Sequence, residues 1–308
     1  MIDGSVERSA CAKVILCGEH AVVYGRPAIA LPLPALRVRA CMHATARPFI
    51  IHAPDVDETI VAGDLSGETF NPLALIAQIT LAHLNQAPPT AELTITSDIP
   101  VGANLGSGAA VSVAVARAIA AYFDHELSAS EASAMAYEVE KIHHGTPSGI
   151  DNSVVAYEQP VWFVRGSEPR ILKTQGALPL VIGDTGFSTP TRIPVGDVRA
   201  AWEKDRDRME GMFNAITSLV YISREALLKG DWPVLGHAMN ANHTLLQQID
   251  VSCAELDALC EAAREAGALG AKMSGGGRGG NMIALAQNAG HADEIREALV
   301  KAGAKRVL

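Results

Sequence analysis

Residues 100–110 read Pro100-Val-Gly-Ala-Asn-Leu-Gly-Ser-Gly-Ala-Ala110, and the character of the chain changes across them. Before them, LTITS at 93–97 is rich in β-branched residues and predicts a strand. After them, AAVSVAVARAIAAYF at 109–123 places apolar residues and alanines at helical spacing. A strand that enters a helix through glycines leaves unpaired backbone N–H groups at the positive end of the helix, where a phosphate can sit. Glycines let the main chain approach such an anion with no Cβ in the way. The spacing is neither GxxxxGK[ST] nor GxGxxG, which removes the P-loop and dinucleotide-binding readings. An ordinary tight strand-to-helix turn would carry the same residues, so the segment gains meaning only from its neighbours.

Upstream, the chain reads mainly as strands, at 14–17, 28–33, 36–45, 49–52 and 91–97, with one helix over 72–84. Downstream, a helix is predicted over 129–144. Ser128 followed by Glu131 fits a capping box at its start, and Gly145 and Pro147 close it. A strand at 161–164 and the charged, turn-rich stretch 165–169 divide the chain into 1–165 and 166–308. The second part reads as a strand at 178–182, long helices at 197–229 and 232–248, and a helix from Ser252 to Gly267, again with a glutamate (Glu255) three residues on. Strands at 269–273 and 281–286, a helix at 292–302 and a strand at 304–307 complete it. This closing α-β-β-α-β order predicts a small α+β sandwich.

Composition limits the function classes. The chain has 308 residues, 48% apolar and 19% charged, which suits two core-forming domains rather than a disordered or fibrous protein. Lys and Arg number 25 and Asp and Glu 34, a net charge of −9, with no basic run. Nucleic acid and anionic membranes are therefore excluded as partners, and any bound anion must be held by local geometry. The five cysteines (Cys11, Cys17, Cys41, Cys253, Cys260) are odd in number and contain no CxxC pair. A reducing cytoplasm fits them better than a disulfide framework or a cysteine zinc site. No signal peptide is read at the N-terminus, and no stretch reaches the roughly 18 apolar residues of a membrane span.

Three further segments carry chemistry. In Glu140-Lys-Ile-His-His144-Gly-Thr-Pro-Ser-Gly-Ile-Asp151-Asn152, Glu140 and His144 share a helix face. A turn forced by Pro147 and Gly149 can return Asp151 toward that end. Two carboxylates beside an anion loop suit a magnesium–nucleotide site, and one near a hydroxyl can act as base or orienter. A solvated helix end with a turn-stabilising Asp is the plain alternative. Zinc on His143 and His144 is a weaker reading, because adjacent helical residues diverge. Lys272-Met-Ser-Gly-Gly-Gly-Arg-Gly-Gly280 packs five glycines into residues 275–280, which suggests that something lies against the backbone, a flexible hairpin being the alternative. Lys13-Val-Ile-Leu-Cys-Gly-Glu19-His20-Ala-Val-Val-Tyr-Gly25 leads a lysine through a short apolar strand to an acidic–histidine pair; a surface lysine and a satisfied histidine would look the same.

Taken in order, AKVILCGEHAVVYGRPAIA, GANLGSGAAVSVA, HGTPSGIDNSV and the long stretch from HAMNANHTLLQQID to KMSGGGRGGNMIAL resemble the GHMP kinase superfamily, over nearly the whole chain. GEHAVVYG together with PSGIDN is most similar to the branch whose acceptor is mevalonate. The resemblance implies an α+β two-domain fold: an N-terminal mixed β/α domain with helices packed against its sheet, a C-terminal ferredoxin-like sandwich, and an active site in the cleft between. It implies ATP-dependent phosphorylation of the 5-hydroxyl of mevalonate, with ATP and Mg²⁺ as cofactors. Asp151 would act as base or orienter and Lys13 would stabilise the nucleophile. Glu140 would hold Mg²⁺. Gly102, Ala103, Asn104, Leu105, Gly106, Ser107, Gly108 and Ala109 would wrap the ATP phosphates, with Ser274, Gly275, Gly276 and the rest of the third loop closing on them. Glu19 and His20 would contact the mevalonate end, Arg165 its carboxylate, and Thr191 in DTGFSTPTR the reacting centre.

Three departures from the family pattern bear on this. The usual Pro-Gly before the lysine is Cys11-Ala12, and a loop glycine is replaced by Asn104, a residue that reaches left-handed conformations readily. The loop serine that relatives use on the metal is Gly108 here, which leaves Glu140, ATP oxygens and water as the expected magnesium ligands. Another small-molecule kinase of the superfamily, for phosphomevalonate or a sugar, and a nucleotide sensor without catalysis are the rival readings. Only Arg165, Arg192 and Lys13 are available to grip a phosphorylated substrate. Apolar faces on the C-terminal helices are compatible with a homodimer.

Overall fold

The apolar run at 14–17 is the buried end of a longer strand, β1 (Ser5–Cys17), which is buried throughout from Ala10 onward. The structure, a computed structural model, describes residues 5–61, 70–100, 103–144, 147–176 and 178–308, and for 142–144 the backbone alone. Gly102, Gly145 and the side chains of His143 and His144 lie outside the described residues. The chain forms two compact units that alternate along the sequence. One comprises 1–13, 32–101 and 106–159, the other 14–31, 102–105 and 160–308.

In the first unit, β2 (Ala28–Ala44) pairs antiparallel with β5 (Ala91–Ser97), from Val38 opposite Ser97 to Ala44 opposite Ala91. On the far side of β5, β3 (Ile50–Ala53) runs parallel to it and forms a hairpin with β4 (Glu58–Val61), a strand the sequence did not suggest. β2 is one strand where two were expected. Pro32 and Pro34, which cannot donate to a ladder, fall between its stretch paired with β5 and its stretch at 28–30 paired elsewhere.

Four helices follow: α1 (Pro72–His83), α2 (Ser107–Tyr122), α3 (Ala129–His144) and α4 (Ile150–Tyr157). α2 packs on the other three and is buried nearly all round, which its alanines allow by letting neighbours approach closely. Each start has its own chemistry. The Asn71 side chain accepts from Leu73 and Ala74 N–H at 2.9 and 3.1 Å to open α1. The predicted box opens α3, with Ser128 N–H donating to Glu131 at 2.8 Å and Glu131 N–H to Ser128 Oγ at 3.2 Å. α2 starts at Gly106 in a left-handed conformation with no capping side chain. α4, which the sequence did not suggest, follows directly on Gly149, so Asp151 stands in the first turn of a helix.

In the second unit, β6 (Val161–Phe163) pairs with the start of β2 and with β7 (Arg170–Ile171), another unexpected strand. β8 (Leu180–Asp184), α5 (Arg192–Lys204), α6 (Arg206–Lys229), α7 (Trp232–Gln248), α8 (Ala254–Glu265), β9 (Gly270–Ser274), β10 (Asn281–Leu285), α9 (Ala289–Lys301) and β11 (Arg306–Val307) follow. The four strands order as β11-β8-β10-β9, all antiparallel. With α8 and α9 as the two closing helices this is the ferredoxin-like arrangement, its first crossover enlarged by α5–α7. The helix expected over 197–229 breaks at Asp205, whose extended backbone ends α5 and whose side chain accepts from Arg208 N–H at 3.2 Å. The box expected at Ser252 does not form. Ser252 Oγ donates to Asp257 at 2.5 Å instead, and the helix starts two residues later. No described helix is long and apolar enough to cross a membrane.

Two features of this unit predict behaviour. α7 rests directly on β9, because a Cβ at Gly236 would lie 2.2 Å from the Leu269 carbonyl oxygen. Alanine at a helix interior normally stabilises by about 1 kcal/mol relative to glycine. Gly236→Ala is therefore expected to destabilise by about 1–3 kcal/mol through overpacking, whereas Gly211→Ala, which meets open space in α6, should stabilise; denaturant midpoints of the two variants check this. His243 on α7 accepts from Met273 N–H at 3.3 Å and lies 3.1 Å from Asp257 on α8. Burial pushes its pKa down to about 4 despite that carboxylate. The unfolded chain then takes up a proton near pH 6.5 that the folded one refuses, so stability falls as pH drops from about 6.5 to 4. The His243 share is at most about 3 kcal/mol. His243→Gln should flatten that acid limb in urea titrations at pH 7 and pH 5.

Candidate active site

Lys13, near the middle of β1, is 3% exposed, and an ammonium taken out of water requires a negative partner. Its Nζ lies 3.0 Å from Asp151 Oδ2. The first turn of α4 carries that carboxylate, where the helix dipole favours it. Gly149, left-handed at φ 89°, starts the helix, and buried Asn152 ties it to α3 by donating to the Ser133 carbonyl and hydroxyl at 3.1 and 2.8 Å. The lysine stem runs against Gly106: a Cβ there would lie 2.8 Å from Lys13 Cγ. Glycine is thus required at the start of α2 both for φ 77° and for the lysine to pass. The N–H groups of Ser107, Gly108 and Ala109 precede the first intrahelical bond, Ala110 N–H to the Gly106 carbonyl at 2.9 Å. Gly108 faces open space. Cys11 and Ala12 continue β1 as regular strand.

Glu140, on α3, completes this group. Burial, and then the Asp151 charge, raise its pKa to about 8 against the opposing pull of Lys13. Among the described residues its carboxylate accepts no hydrogen bond. At neutral pH this raised pKa keeps a proton on Glu140, so the group carries its second negative charge only when a cation is there to displace that proton.

The second unit holds a separate group. Gly18 at φ 104° turns the chain after β1, because a Cβ there would lie 2.6 Å from Ala28 Cα. The turn delivers Glu19 and His20, 1% and 5% exposed, ahead of a short 3-10 turn (Ala21–Tyr24). Lys272, wholly buried on β9, binds Glu19 Oε1 and donates to the Met273 carbonyl at 2.6 Å. Asn242 on α7 donates to Glu19 Oε2 at 3.1 Å, so both carboxylate oxygens are engaged. His20 Nε2 stands 3.0 Å from the Gly276 carbonyl. Burial lowers its pKa to about 4, so the ring is neutral, donates from Nε2, and keeps a bare acceptor at Nδ1 with no partner among the described residues.

The glycine loop after β9 meets these residues. Ser274 Oγ donates to the Ile15 carbonyl and accepts from Ile15 N–H, at 2.9 and 3.0 Å, fastening β1 beside β9. A Cβ at Gly276 would lie 3.2 Å from the Thr191 side chain. A Cβ at Gly277 would lie 1.9 Å from the Val251 carbonyl oxygen. Arg278, left-handed at φ 52°, binds Asp197 and Asp250 with its guanidinium, and its carbonyl accepts from Thr189 at 2.7 Å. Asn104, left-handed at φ 55°, approaches Gly280, and the Ala103 carbonyl accepts from Asn281. Leu105 is buried, and Arg165 Nη1 donates to the Val23 carbonyl at 3.3 Å.

The structure therefore brings Lys13, Asp151, Glu140 and the Gly106–Ala109 start together in one unit. It joins Glu19, His20, Asn104, Ser274, Gly276 and Thr191 in the other. Sequence reasoning gave no role to Asn242, Lys272 or Asn281. Lys272 did carry a signal, since a lysine inside the short apolar strand GAKMS has to be paired.

Residues 73–159 match the GHMP kinases N terminal domain and residues 223–305 the GHMP kinases C terminal domain. The mevalonate kinase of Thermococcus sibiricus is 37% identical over 295 residues, covering 90% of this chain and 88% of that protein. That of Pyrococcus abyssi is 35% identical over 313 residues, covering 96% and 92%. The crystal structure of L. major mevalonate kinase in complex with R-mevalonate superposes with a TM-score of 0.85 at 30% identity, covering 100% of this chain and 96% of that one. Full-length relatives at this identity and both family domains in order leave one assignment: the chain belongs to the GHMP kinases, alongside the mevalonate kinases.

Proposed function

We propose that this chain transfers the γ-phosphoryl group of ATP to the primary, 5-hydroxyl of mevalonate, giving 5-phosphomevalonate and ADP. The observation that carries the reading is the Lys13–Asp151 pair beside the uncapped start of α2, in a chain whose full-length relatives are mevalonate kinases. Phosphoryl transfer asks little covalent chemistry of a protein and much positioning and charge stabilisation. Asp151 receives the hydroxyl proton as the new O–P bond forms and the bond from the γ-phosphorus to the bridging oxygen breaks, releasing ADP. Lys13, 3.0 Å from Asp151, orients that carboxylate and stabilises the oxygen that attacks. The N–H groups of Ser107, Gly108 and Ala109 bind phosphate oxygens. Gly275 and Gly276, with Ala103 to Gly106, shape the backbone around the nucleotide.

Mg²⁺, when bound, neutralises charge on the phosphates of ATP. The residues present fit it: Glu140 accepts no hydrogen bond among the described residues, and burial and the Asp151 charge raise its pKa, holding a proton that a bound cation would displace. Gly108 offers no side-chain oxygen, so Glu140 is the protein ligand we assign, with nucleotide oxygens and water completing the set.

At the acceptor end, neutral His20 offers Nδ1 to a mevalonate hydroxyl, and Arg165 pairs the mevalonate carboxylate. Thr191 lies beside Gly276 of the glycine loop. Glu19 acts through its neighbours: with Lys272 and Asn242 on its two oxygens, it holds the turn that aims His20.

Asp151→Asn should lower turnover by about 10²–10⁴-fold while nucleotide affinity stays near wild type. Coupled ADP release with mevalonate, together with equilibrium nucleotide binding, measures both, and near-normal turnover would remove Asp151 from the role. In the same assay mevalonate should stimulate ADP release far more than phosphomevalonate, homoserine or galactose. Gly106→Ala should abolish activity by displacing the Lys13 stem and straining φ, while leaving the second unit's unfolding transition unchanged.

A further inference from the structure

Within the first unit, three side chains with no part in the chemistry above converge from three successive segments. His83 is the last residue of α1, His125 lies in the connection from α2 to α3, and Glu131 stands in the first turn of α3. One ligand atom from each lies within 4.8 Å of the others. His83 Nε2 is 3.5 Å from Glu131 Oε1, and the two imidazoles meet edge to face with centroids 6.3 Å apart.

Two of the three are held by contacts of their own. Glu131 closes the capping box, so its Oε2 accepts from Ser128 N–H and Oγ at 2.8 and 2.7 Å, which leaves Oε1 turned to His83. The backbone of His125 is pinned by its N–H to the Ala120 carbonyl at 3.0 Å. A His83–Glu131 pair explains two of the three groups. It does not explain the second imidazole, which stands edge to face with the first and brings its own ligand atom within 4.8 Å of the other two. A shared cation would engage all three groups at once. Two imidazoles and a carboxylate form a nitrogen-rich set that suits zinc and its neighbours and does not suit magnesium or calcium. Ligands on a tetrahedral zinc stand about 3.3 Å apart, so the His83–Glu131 spacing is already close. The exposed His125 side chain needs only a small rotation.

We propose that His83, His125 and Glu131 form a site for a zinc-class divalent cation, completed by water, which fastens the end of α1 to the α2–α3 connection. The site is structural, uses none of the residues assigned to phosphoryl transfer, and does not depend on that assignment.

The test uses the untagged full-length chain, stripped of metal and then titrated with zinc chloride in saturating Mg²⁺, beside the double variant His83→Asn/His125→Asn. The wild type should take up one more equivalent of zinc than the variant, with micromolar affinity by chromogenic-chelator competition. Zinc should raise its melting temperature and leave that of the variant unchanged. Matching melts without zinc establish that the variant folds, and its kinase activity should equal wild type. Ser128→Ala keeps all three ligands but frees Glu131 Oε2, and should weaken zinc binding by about tenfold. Equal stoichiometry and equal thermal response in the wild type and the double variant would overturn the proposal.

Discussion

An ammonium group taken out of water needs a carboxylate at hand, and this rule organises both units. Lys13 on β1 and Lys272 on β9 are 3% and 0% exposed, and each is paired, with Asp151 and Glu19 respectively. Removing one member of such a pair strands a buried charge, at a loss of about 3–5 kcal/mol. The elements that supply the partners are therefore fixed with them. Asp151 fixes the start of α4 and, through Asn152, its seat on α3. Glu19 fixes the turn after β1 and, through Asn242, the position of α7. In the first unit Glu140 adds a second acid whose pKa responds to both Lys13 and Asp151.

The glycines divide by what lies opposite them. At Gly106 a side chain would strike the Lys13 stem, so the residue serves the site itself. Gly108 faces open space, where a phosphate can come close to the N–H groups of α2. Gly277 and Gly279 press instead on the protein's own backbone, at Val251 and Phe187, so part of the glycine-rich loop is an internal packing device. Arg278 anchors that loop through Asp197 and Asp250. A net charge of −9 is no obstacle to binding a polyanion under these conditions, because a few aimed N–H dipoles and placed cations act where the ligand sits.

Motifs and elements with local signals were legible in the sequence: the α3 capping box, the α7 span, the ferredoxin-like strand order and the Lys13, Asp151 and Glu140 group. The cap and the helical period follow from neighbours a few residues apart, whereas Lys13 stands more than a hundred residues before Glu140 and Asp151 and was grouped with them only through the family resemblance. The α4 helix was not legible, because Pro147 and Gly149 signal only the turn before it and no side chain caps its start; its eight residues pack on α2 and α3. β4 and β7 are short and take their shape from the strands they join. A single long β2 became possible once Pro32 and Pro34 fell between its two ladders.

Four motifs taken in order determined the family by resemblance, and their glycines and acids marked which stretches of the chain to compare, because such residues are read locally. What only the tertiary structure decided is which charges are paired and which atoms stay open. Sequence placed Glu19 and His20 side by side as equals. In the fold, Glu19 has both oxygens occupied, by a lysine and an asparagine more than two hundred residues away, while His20 retains a bare Nδ1. Burial and long-range pairing set that difference, and neither is a property of local sequence.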